Sequence, residues 1–157
     1  MRTAIVRLPL VAGPGAPGNL GAMVRGLCSG KYLGLGSGAA RRSMVWGAEV
    51  GRILPKLARA GGVFHLTDGH HPSFAELEAA LAEALNKKSP WRLPLGVAKL
   101  GAWTGDILNQ WTKLNVPLNT RSLTKMTSTL TFSDERARKE LGWNPSRVVD
   151  HAAELVS

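Results

Sequence analysis

Residues 4–12, AIVRLPLVA, form an apolar run that ends at a glycine-rich turn and is followed by a helical pattern over residues 20–29. Aliphatic and β-branched residues in so short a run are typical of a buried strand. The alternation recurs later, because GGVFHLTDG predicts a strand and SFAELEAALAEAL a helix that begins with the capping box of Ser73 and Glu76. Strands that alternate with helices indicate an α/β or α+β fold.

The number of strong strand candidates is small for a complete nucleotide-binding fold. A complete doubly wound domain needs about five or six parallel strands, whereas two or three strong strands and several short extended segments can be recognised here in 157 residues. Residues 48–60 predict a helix that Pro55 should kink, and Ser133 and Gly142 are expected to cap and stop a later helix. The chain is therefore interpreted as part of a larger fold.

The first glycine-rich turn, GPGAPG at residues 13–18, contains the G-x-G-x-x-G spacing of dinucleotide-binding loops. In such loops an acidic residue follows about 20 positions later and binds the ribose, but the first acidic residue of this chain is Glu49. Pro14 and Pro17 also remove two of the backbone donors that should hold the pyrophosphate. We interpret the segment as a structural turn and not as a cofactor loop.

The charge is strongly positive and uneven. The formal net charge is +9, and the basic residues before Glu49 are Arg2, Arg7, Arg25, Lys31, Arg41 and Arg42. This excess predicts an anionic partner or a solvated basic face. Nucleic acid, anionic lipid and a phosphorylated small molecule are the alternatives that charge alone leaves open.

Two features bear on the compartment. Cys28 is the single cysteine and cannot form an internal disulfide, which fits a reducing, cytoplasmic location. No apolar run approaches the roughly 18 residues that a membrane span needs, so we expect no membrane partner. Cys28 follows an apolar helical pattern without a nearby base, and we interpret it as a small packing residue.

Other chemistry-bearing residues give weaker patterns. HLTDGHH brings together His65, Asp68, His70 and His71, but no metal-ligand spacing is present, so a surface turn and no metal are predicted. Trp91, Trp103 and Trp111 could stack on nucleic-acid bases, although Trp103 and Trp111 lie near helical spacing with leucines and favour packing. The basic residues of the last long helix, Arg136, Arg138 and Lys139, are expected on its solvated face.

The ordered series of VRLPLVAGPG, NLGAM, GLGSGAARRSMVWGAEVGRIL, GGVFHLTDG, SFAELEAALAEAL and FSDERARKELGWNP resembles the C-terminal half of an NAD-dependent epimerase/dehydratase. This is the extended short-chain dehydrogenase/reductase group, whose epimerases (isomerases) and dehydratases act on nucleotide sugars. The resemblance implies an α/β fold, a partial Rossmann-like C-terminal portion with a substrate-binding α+β subdomain. Residues 1–157 would form one such portion, with the N-terminal cofactor-binding half absent.

The resemblance also implies what this chain lacks. In the family, the N-terminal half carries a G-x-x-G-x-x-G loop and a Tyr-x-x-x-Lys catalytic pair. The only tyrosine here is Tyr32, and Gly36 stands four residues after it. No catalytic residue is therefore predicted. The family implies NAD(P) as a cofactor, but we do not expect this chain alone to bind it. We therefore expect the chain alone to be catalytically inactive.

The family's substrate-binding residues can be carried over where positions match. The NLGAM segment implies that Asn19 and Leu20 contact the nucleotide diphosphate, and LGLG that Leu33 and Leu35 flank the base. In RRSMVWGAEV, Arg42 matches the arginine that holds the diphosphate. In the family a late basic residue joins this arginine, and the resemblance implies Arg121 or Lys125 for that role.

Three functions follow as hypotheses. The first is a fragment of a nucleotide-sugar epimerase/dehydratase that binds a UDP-sugar and works with the N-terminal half or as a homo-oligomer. The second is a stand-alone nucleotide-binding module without catalysis. The third, a basic nucleic-acid-binding protein, explains the charge, but the sequence contains no recognition motif of that class. Departures from the family pattern at Leu10, Ala12, Trp46 and Gly47 leave the sugar and the reaction undetermined.

Overall fold

The computed structural model describes residues 3–100, 124 and 127–157. The strands in this part of the chain are β1 (Ala4–Arg7), β2 (Leu10–Ala12), β3 (Gly34–Leu35), β4 (Met44–Trp46), β5 (Gly62–His65) and β6 (Arg92–Leu93). The helices are α1 (Gly18–Cys28), α2 (Gly47–Ala60), α3 (Phe74–Ala84), α4 (Glu135–Leu141) and α5 (Ala152–Val156), with a 3-10 turn at Val148–His151. Residues 95–100 are also helical. Among the described residues, no helix combines the length and apolar character needed to cross a bilayer.

All three strand pairs are parallel: β1 with β5, β2 with β4, and β3 with β6. The first two pairs join into one layer, because the Leu66 amide donates to the Arg7 carbonyl at 3.3 Å and the Asp68 amide to the Met44 carbonyl at 2.7 Å. The predicted single strand over residues 4–12 is two strands. The chain leaves the first pairing at Leu8 and Pro9, since proline has no amide to donate to a ladder.

Helices cover both faces of this strand layer. On one face, α1, α3 and α5 enclose a core that includes Leu20, Leu81 and Leu155. On the other face, α2 and α4 pack against Val45 and Phe64. Side chains alternate along a strand, so Met44 and Trp46 of β4 pack in the first core and Val45 packs in the second. The result is a three-layer α/β arrangement, which confirms the predicted fold class.

The helix ends follow local sequence rules to different degrees. Ser73 caps α3, as predicted, by accepting from the Glu76 amide at 3.1 Å. Glu76, however, pairs with His70 instead of completing the capping box. The N-cap of α4 is Asp134 and not Ser133, whose hydroxyl accepts from the Glu135 amide at 3.3 Å.

Other sequence predictions have mixed outcomes. Gly142 ends α4 in the left-handed conformation with φ 64°, as expected. Helix α2 continues through Pro55 to Ala60 without interruption. Cys28 is exposed, so its interpretation as a packing residue is wrong. It stands at the last position of α1, beyond Leu27, which is buried in the core.

The third strand pair, β3–β6, forms a small unit of its own. Leu35 and Leu93 pack against Ala98 of the helical segment 95–100. The opposite face of the pair meets α3, because a β-carbon at Gly34 would lie 3.0 Å from Glu78 Oε2. This unit and the N-terminus of α3 frame the first candidate site.

Candidate functional site

A cavity of about 150 Å³ lies between the loop after β3 and helix α3. It is lined by Tyr32, Leu35, Gly36, Ser37, Gly38, Ala39, Ala40, Phe74, Glu78, Leu95 and Thr127. Its volume is below the roughly 300–1,000 Å³ of pockets for whole ligands, so it suits one part of a ligand, such as a planar ring. We call it the β3–α3 pocket.

Backbone hydrogen bonds fix the wall formed by residues 36–40. The carbonyls of Gly38 and Ala40 accept from the amides of Ala75 and Phe74, each at 3.0 Å. These amides belong to the first turn of α3, whose donors have no partner within the helix. The loop therefore satisfies the N-terminus of α3, and the pocket wall is held in place by it.

A polar cluster centred on the buried Glu78 lies at the base of this pocket. The Tyr32 hydroxyl donates to Glu78 Oε1 at 2.9 Å, and the Arg92 guanidinium binds the other carboxylate oxygen. Burial raises the pKa of Glu78, although the hydrogen bonds from Tyr32 and Arg92 act in the opposite direction. Burial, followed by the charge of Glu78, also raises the pKa of Tyr32 above its usual 10.0. Both effects favour the protonated hydroxyl, which donates its proton to the hydrogen bond with Glu78.

The cluster was not found from the sequence. Glu78 lies on the buried face of α3 beside Leu77, Leu81 and Ala82. A glutamate among apolar residues on the buried face of a helix indicates a buried polar cluster, because a buried charge requires partners. Its partners could not be found in the same way. Tyr32 lies 46 positions away along the chain, and no local pattern joins the two.

Arg42 contacts Phe74, a side chain that lines the β3–α3 pocket. Its guanidinium carbon lies 5.7 Å from the centre of the Phe74 ring, which lines the cavity. The Arg42 amide donates to the Pro72 carbonyl at 3.1 Å, and the residue bridges to Leu130. Arg42, the residue predicted to bind the diphosphate, therefore lies close to the pocket and makes a cation–π contact with Phe74.

The two leucines predicted to flank a base differ in position. Leu35 lines the β3–α3 pocket. Leu33 is not among the lining residues; it is 57% exposed and lies at the outer end of the strand pair. The structure therefore associates only Leu35 with this cavity.

Asn19 and Leu20 lie in the first turn of α1. Asn19 is exposed, whereas the Leu20 side chain is buried in the core, so only its backbone can contact a ligand. The first turn of α1 contains no acidic residue, and its N-cap, Pro17, makes no side-chain cap. Neither residue lines the β3–α3 pocket. Arg121 and Lys125 lie outside the described residues, as do Trp103 and Trp111.

A second, open depression of about 640 Å³ lies at the HLTDGHH turn. Asp68, expected at a surface turn, is buried. Its carboxylate accepts from the His70 amide at 3.1 Å and the Val148 amide at 3.0 Å. The carboxylate therefore joins the turn to the 3-10 segment that begins at Val148. Within the described ranges, no group of three or more His, Cys, Asp or Glu side chains could hold a metal.

The His71 side of this turn connects to the segment that carries Arg42. The Ser43 hydroxyl and His71 Nδ1 are 3.0 Å apart, and Arg41 Nη1 donates to the His71 carbonyl at 3.0 Å. The Phe132 amide donates to the same Ser43 hydroxyl at 2.8 Å. Residues 41–43 are thereby held from both sides, which restricts where the Arg42 guanidinium can go.

Comparison with known proteins gives a consistent result. No protein-family model matches the chain. It is 28% identical over 157 residues to a UDP-glucose 4-epimerase of Vibrio cholerae, covering 95% of this chain and 44% of that protein. It is 27% identical over 136 residues to the N-acetyl-alpha-D-glucosaminyl-diphospho-ditrans,octacis-undecaprenol 4-epimerase of Escherichia coli O157:H7, covering 82% of this chain and 40% of that protein.

A solved structure agrees with these relatives on the fold. The human epimerase family protein SDR39U1, crystallised with NADPH, superposes with a TM-score of 0.72 at 18% identity, over 99% of this chain and 48% of that one. This chain spans less than half the length of the curated relatives it matches. These matches confirm the predicted relationship to the epimerases, and their extent is consistent with the C-terminal half.

Proposed function

We propose that this chain, a relative of the UDP-sugar epimerases, provides the part of such an enzyme that binds the nucleoside diphosphate of a sugar nucleotide. One observation carries the proposal. The guanidinium of Arg42 lies over the Phe74 ring that lines the β3–α3 pocket, so a cation stands beside an apolar slot. A base in the slot and a diphosphate at its rim would use both features.

The chemistry of the site supports this ligand class. A guanidinium makes forked, charge-assisted hydrogen bonds to phosphate oxygens. The Leu35 side chain gives the pocket an apolar wall, and the backbone of residues 36–40 forms another wall. Together these walls suit a planar base. Asn19 and the first amides of α1 are the additional diphosphate ligands that we propose, because a helix N-terminus without an acidic residue favours an anion. We propose that Arg121 or Lys125 adds a second cation.

The cofactor is proposed to bind elsewhere. NAD(P) is a cofactor of the relatives' fold, as the NADPH in the human structure illustrates. Residues 13–18 do not fit its pyrophosphate: two are prolines, and the Ala16 amide is already donated to the Gly13 carbonyl at 3.1 Å. A second polypeptide half would have to supply the cofactor site and the catalytic base.

Binding of UDP to the wild type and to Arg42→Ala, measured by isothermal titration calorimetry, tests the proposed site. Loss of a charged hydrogen bond costs about 1.5–3 kcal/mol, so we expect the dissociation constant to rise about tenfold to a hundredfold. Arg52→Ala, an exposed arginine on α2, is the matched control and should leave it unchanged. Equal binding by the wild type and Arg42→Ala would show that the carry-over of Arg42 is wrong.

We expect the chain alone to show no NAD(P)-dependent turnover of a UDP-sugar. The physical reason is that the hydroxyl of Tyr32 donates to Glu78 and that glycine, not lysine, stands four residues after it. Product formation from UDP-glucose, measured by chromatography with a full-length epimerase as the positive control, decides the point. Sustained turnover by the purified 157-residue chain would contradict this prediction.

A further inference from the structure

Apolar side chains are exposed together on the β3–β6 unit. Trp91 is 86% exposed and Leu33 57% exposed, and Leu95, Val97 and Leu100 of the neighbouring helical segment are exposed as well. We call these five side chains the Trp91 surface. Single exposed apolar residues are ordinary, but several on one small unit indicate an interaction site.

Strand register explains why Trp91 and Leu33 lie together. Gly34 pairs with Arg92, which puts Leu33 beside Trp91, and the Gly34 amide donates to the Trp91 carbonyl at 2.9 Å. Paired strands are about 4.8 Å apart. The next residues on the same face, Leu35 and Leu93, are covered by Ala98. Leu33 and Trp91 therefore extend the apolar face beyond the reach of that cover.

The helical segment 95–100 presents its own apolar residues outward. Within this segment Ala98 is fully buried against the strand pair, whereas Val97 and Leu100 are more than half exposed. Residues three apart lie on the same side of a helix, so Val97 and Leu100 form one row facing away from the strand pair. The unit thus buries a small alanine and exposes larger aliphatic side chains, the reverse of ordinary core formation.

The chain segments that carry the Trp91 surface are positively charged. Segments 29–40 and 86–100, which contain it, have no Asp or Glu. Lys31, Lys88 and Lys99 in these segments are exposed. The other two cations there already have partners, since Lys87 binds carbonyls at the end of α1 and Arg92 binds Glu78. Exposed lysines in the same chain segments as an exposed tryptophan and exposed aliphatic residues match the chemistry of an anionic lipid surface.

We propose that the Trp91 surface docks this protein on an anionic lipid bilayer. Trp91, Leu33 and the Val97–Leu100 row enter the interfacial region, where tryptophan is favoured. The three lysines contact the anionic headgroups, and each contributes about fivefold to binding. Docking on a bilayer surface departs from the expectation of no membrane partner, which was based only on the lack of an apolar run long enough to span a membrane. The proposal does not depend on the proposed function, because Leu95 is the only one of these side chains that lines the β3–α3 pocket.

Vesicle sedimentation with the full chain tests the docking. The probes are vesicles of phosphatidylcholine alone and of phosphatidylcholine with phosphatidylglycerol. We expect binding to the anionic vesicles that weakens with salt, since surface charges are screened. Trp91→Glu should lower the partition coefficient by at least about tenfold, because it removes a large apolar side chain from the interface. Lys31→Glu and Lys88→Glu should lower it by fivefold or more each.

Matched controls separate docking from the general attraction of a chain with net charge +9. Leu54→Glu and Arg52→Glu change an exposed leucine and an exposed arginine on α2. Leu54→Glu should leave binding within about twofold, and Arg52→Glu should change it less than either lysine variant. Thermal unfolding of every variant verifies the fold. A fluorescence measurement with brominated lipid gives a second readout, in which quenching should fall in Trp91→Phe.

Three outcomes would overturn the proposal. The first is no association with anionic vesicles. The second is association that the Trp91 and lysine variants reduce no more than the α2 controls do. The third is that Trp91→Glu abolishes self-association or oligonucleotide binding in a chain that ignores vesicles, which would assign the surface to a second copy or to nucleic acid. UDP binding by the same samples is unaffected in each case, so the two proposals fail separately.

Discussion

At the scale of single residues, close backbone approach requires glycine at one position of α1. A β-carbon at Gly21 would overlap the carbonyl oxygen of Ala16, because the turn of residues 13–17 folds back onto α1. Gly21 therefore has a structural role where this turn meets α1, whereas the interpretation of residues 13–18 as a turn and not a cofactor loop stays a prediction. Gly15 and Gly18 add positive φ angles of 66° and 68° within the same stretch.

Gly21→Ala should destabilise the protein by about 1–3 kcal/mol, the usual cost of forcing extra volume into a packed site. Gly51→Ala is the matched control, since Gly51 is also helical and nothing lies within 4 Å of its added β-carbon. Alanine there should stabilise α2 by about 0.5–1 kcal/mol. Urea unfolding gives both values. Effects of the same sign at the two positions would refute the role assigned to Gly21.

At the scale of secondary-structure elements, the N-terminus of α3 joins the turn of residues 68–72 to the site. Ser73 caps the helix, and Glu76 in its first turn pairs with His70. The hydrogen bond from His70 is the main cause of a lowered pKa at Glu76. A carboxyl whose pKa is lower in the folded state stabilises the fold above its usual pKa of 4.5, and this stability is lost as the pH falls through the lowered value.

We expect Glu76→Gln to reduce the loss of stability on acidification below about pH 4.5. The pair is partly exposed, so the difference from wild type should be at most about 1 kcal/mol. Urea unfolding of both proteins over a pH series measures it. Glu83→Gln, an exposed glutamate on the same helix, serves as the control. A Glu76 variant that tracks the wild type throughout would indicate that the pair contributes nothing to stability.

At the scale of the whole molecule, the strand layer ends in an unpaired edge. Within the described residues, β1 pairs only with β5 and β2 only with β4. Ile5, Leu10 and Val11 on these strands are exposed, as is Leu8 between them. Unpaired strand edges with apolar side chains readily associate with other chains. Because the relatives are more than twice as long as the matched region, we propose that further polypeptide or a second copy covers this edge.

We expect the isolated chain to self-associate as its concentration rises. Ile5→Lys combined with Leu10→Lys should shift it toward the monomer, because lysine blocks pairing at a strand edge. Sedimentation velocity measures this shift, and circular dichroism verifies the fold. Trp91→Glu is the comparison that separates this edge from the Trp91 surface. A chain that is monomeric at all concentrations would contradict the prediction.

Local rules in the sequence determined most of the elements. Apolar spacing located α1, α2 and α3, Ser73 and Gly142 marked two of the helix ends, and the alternation of elements indicated the α/β class. These features depend on residues within a few positions of one another, which a single sequence displays directly. The ordered motifs also pointed to the epimerase relatives that the comparisons found.

Tertiary packing decided what the local pattern could not. The division of residues 4–12 depends on two different partner strands, β5 and β4. The association of Leu35 but not Leu33 with the pocket depends on where the loop of residues 36–40 meets α3. The Tyr32–Glu78–Arg92 cluster joins residues from three elements or loops. Burial and pairing arise from groups far apart in the chain, so sequence periodicity sets an element's type and only the folded chain sets its neighbours.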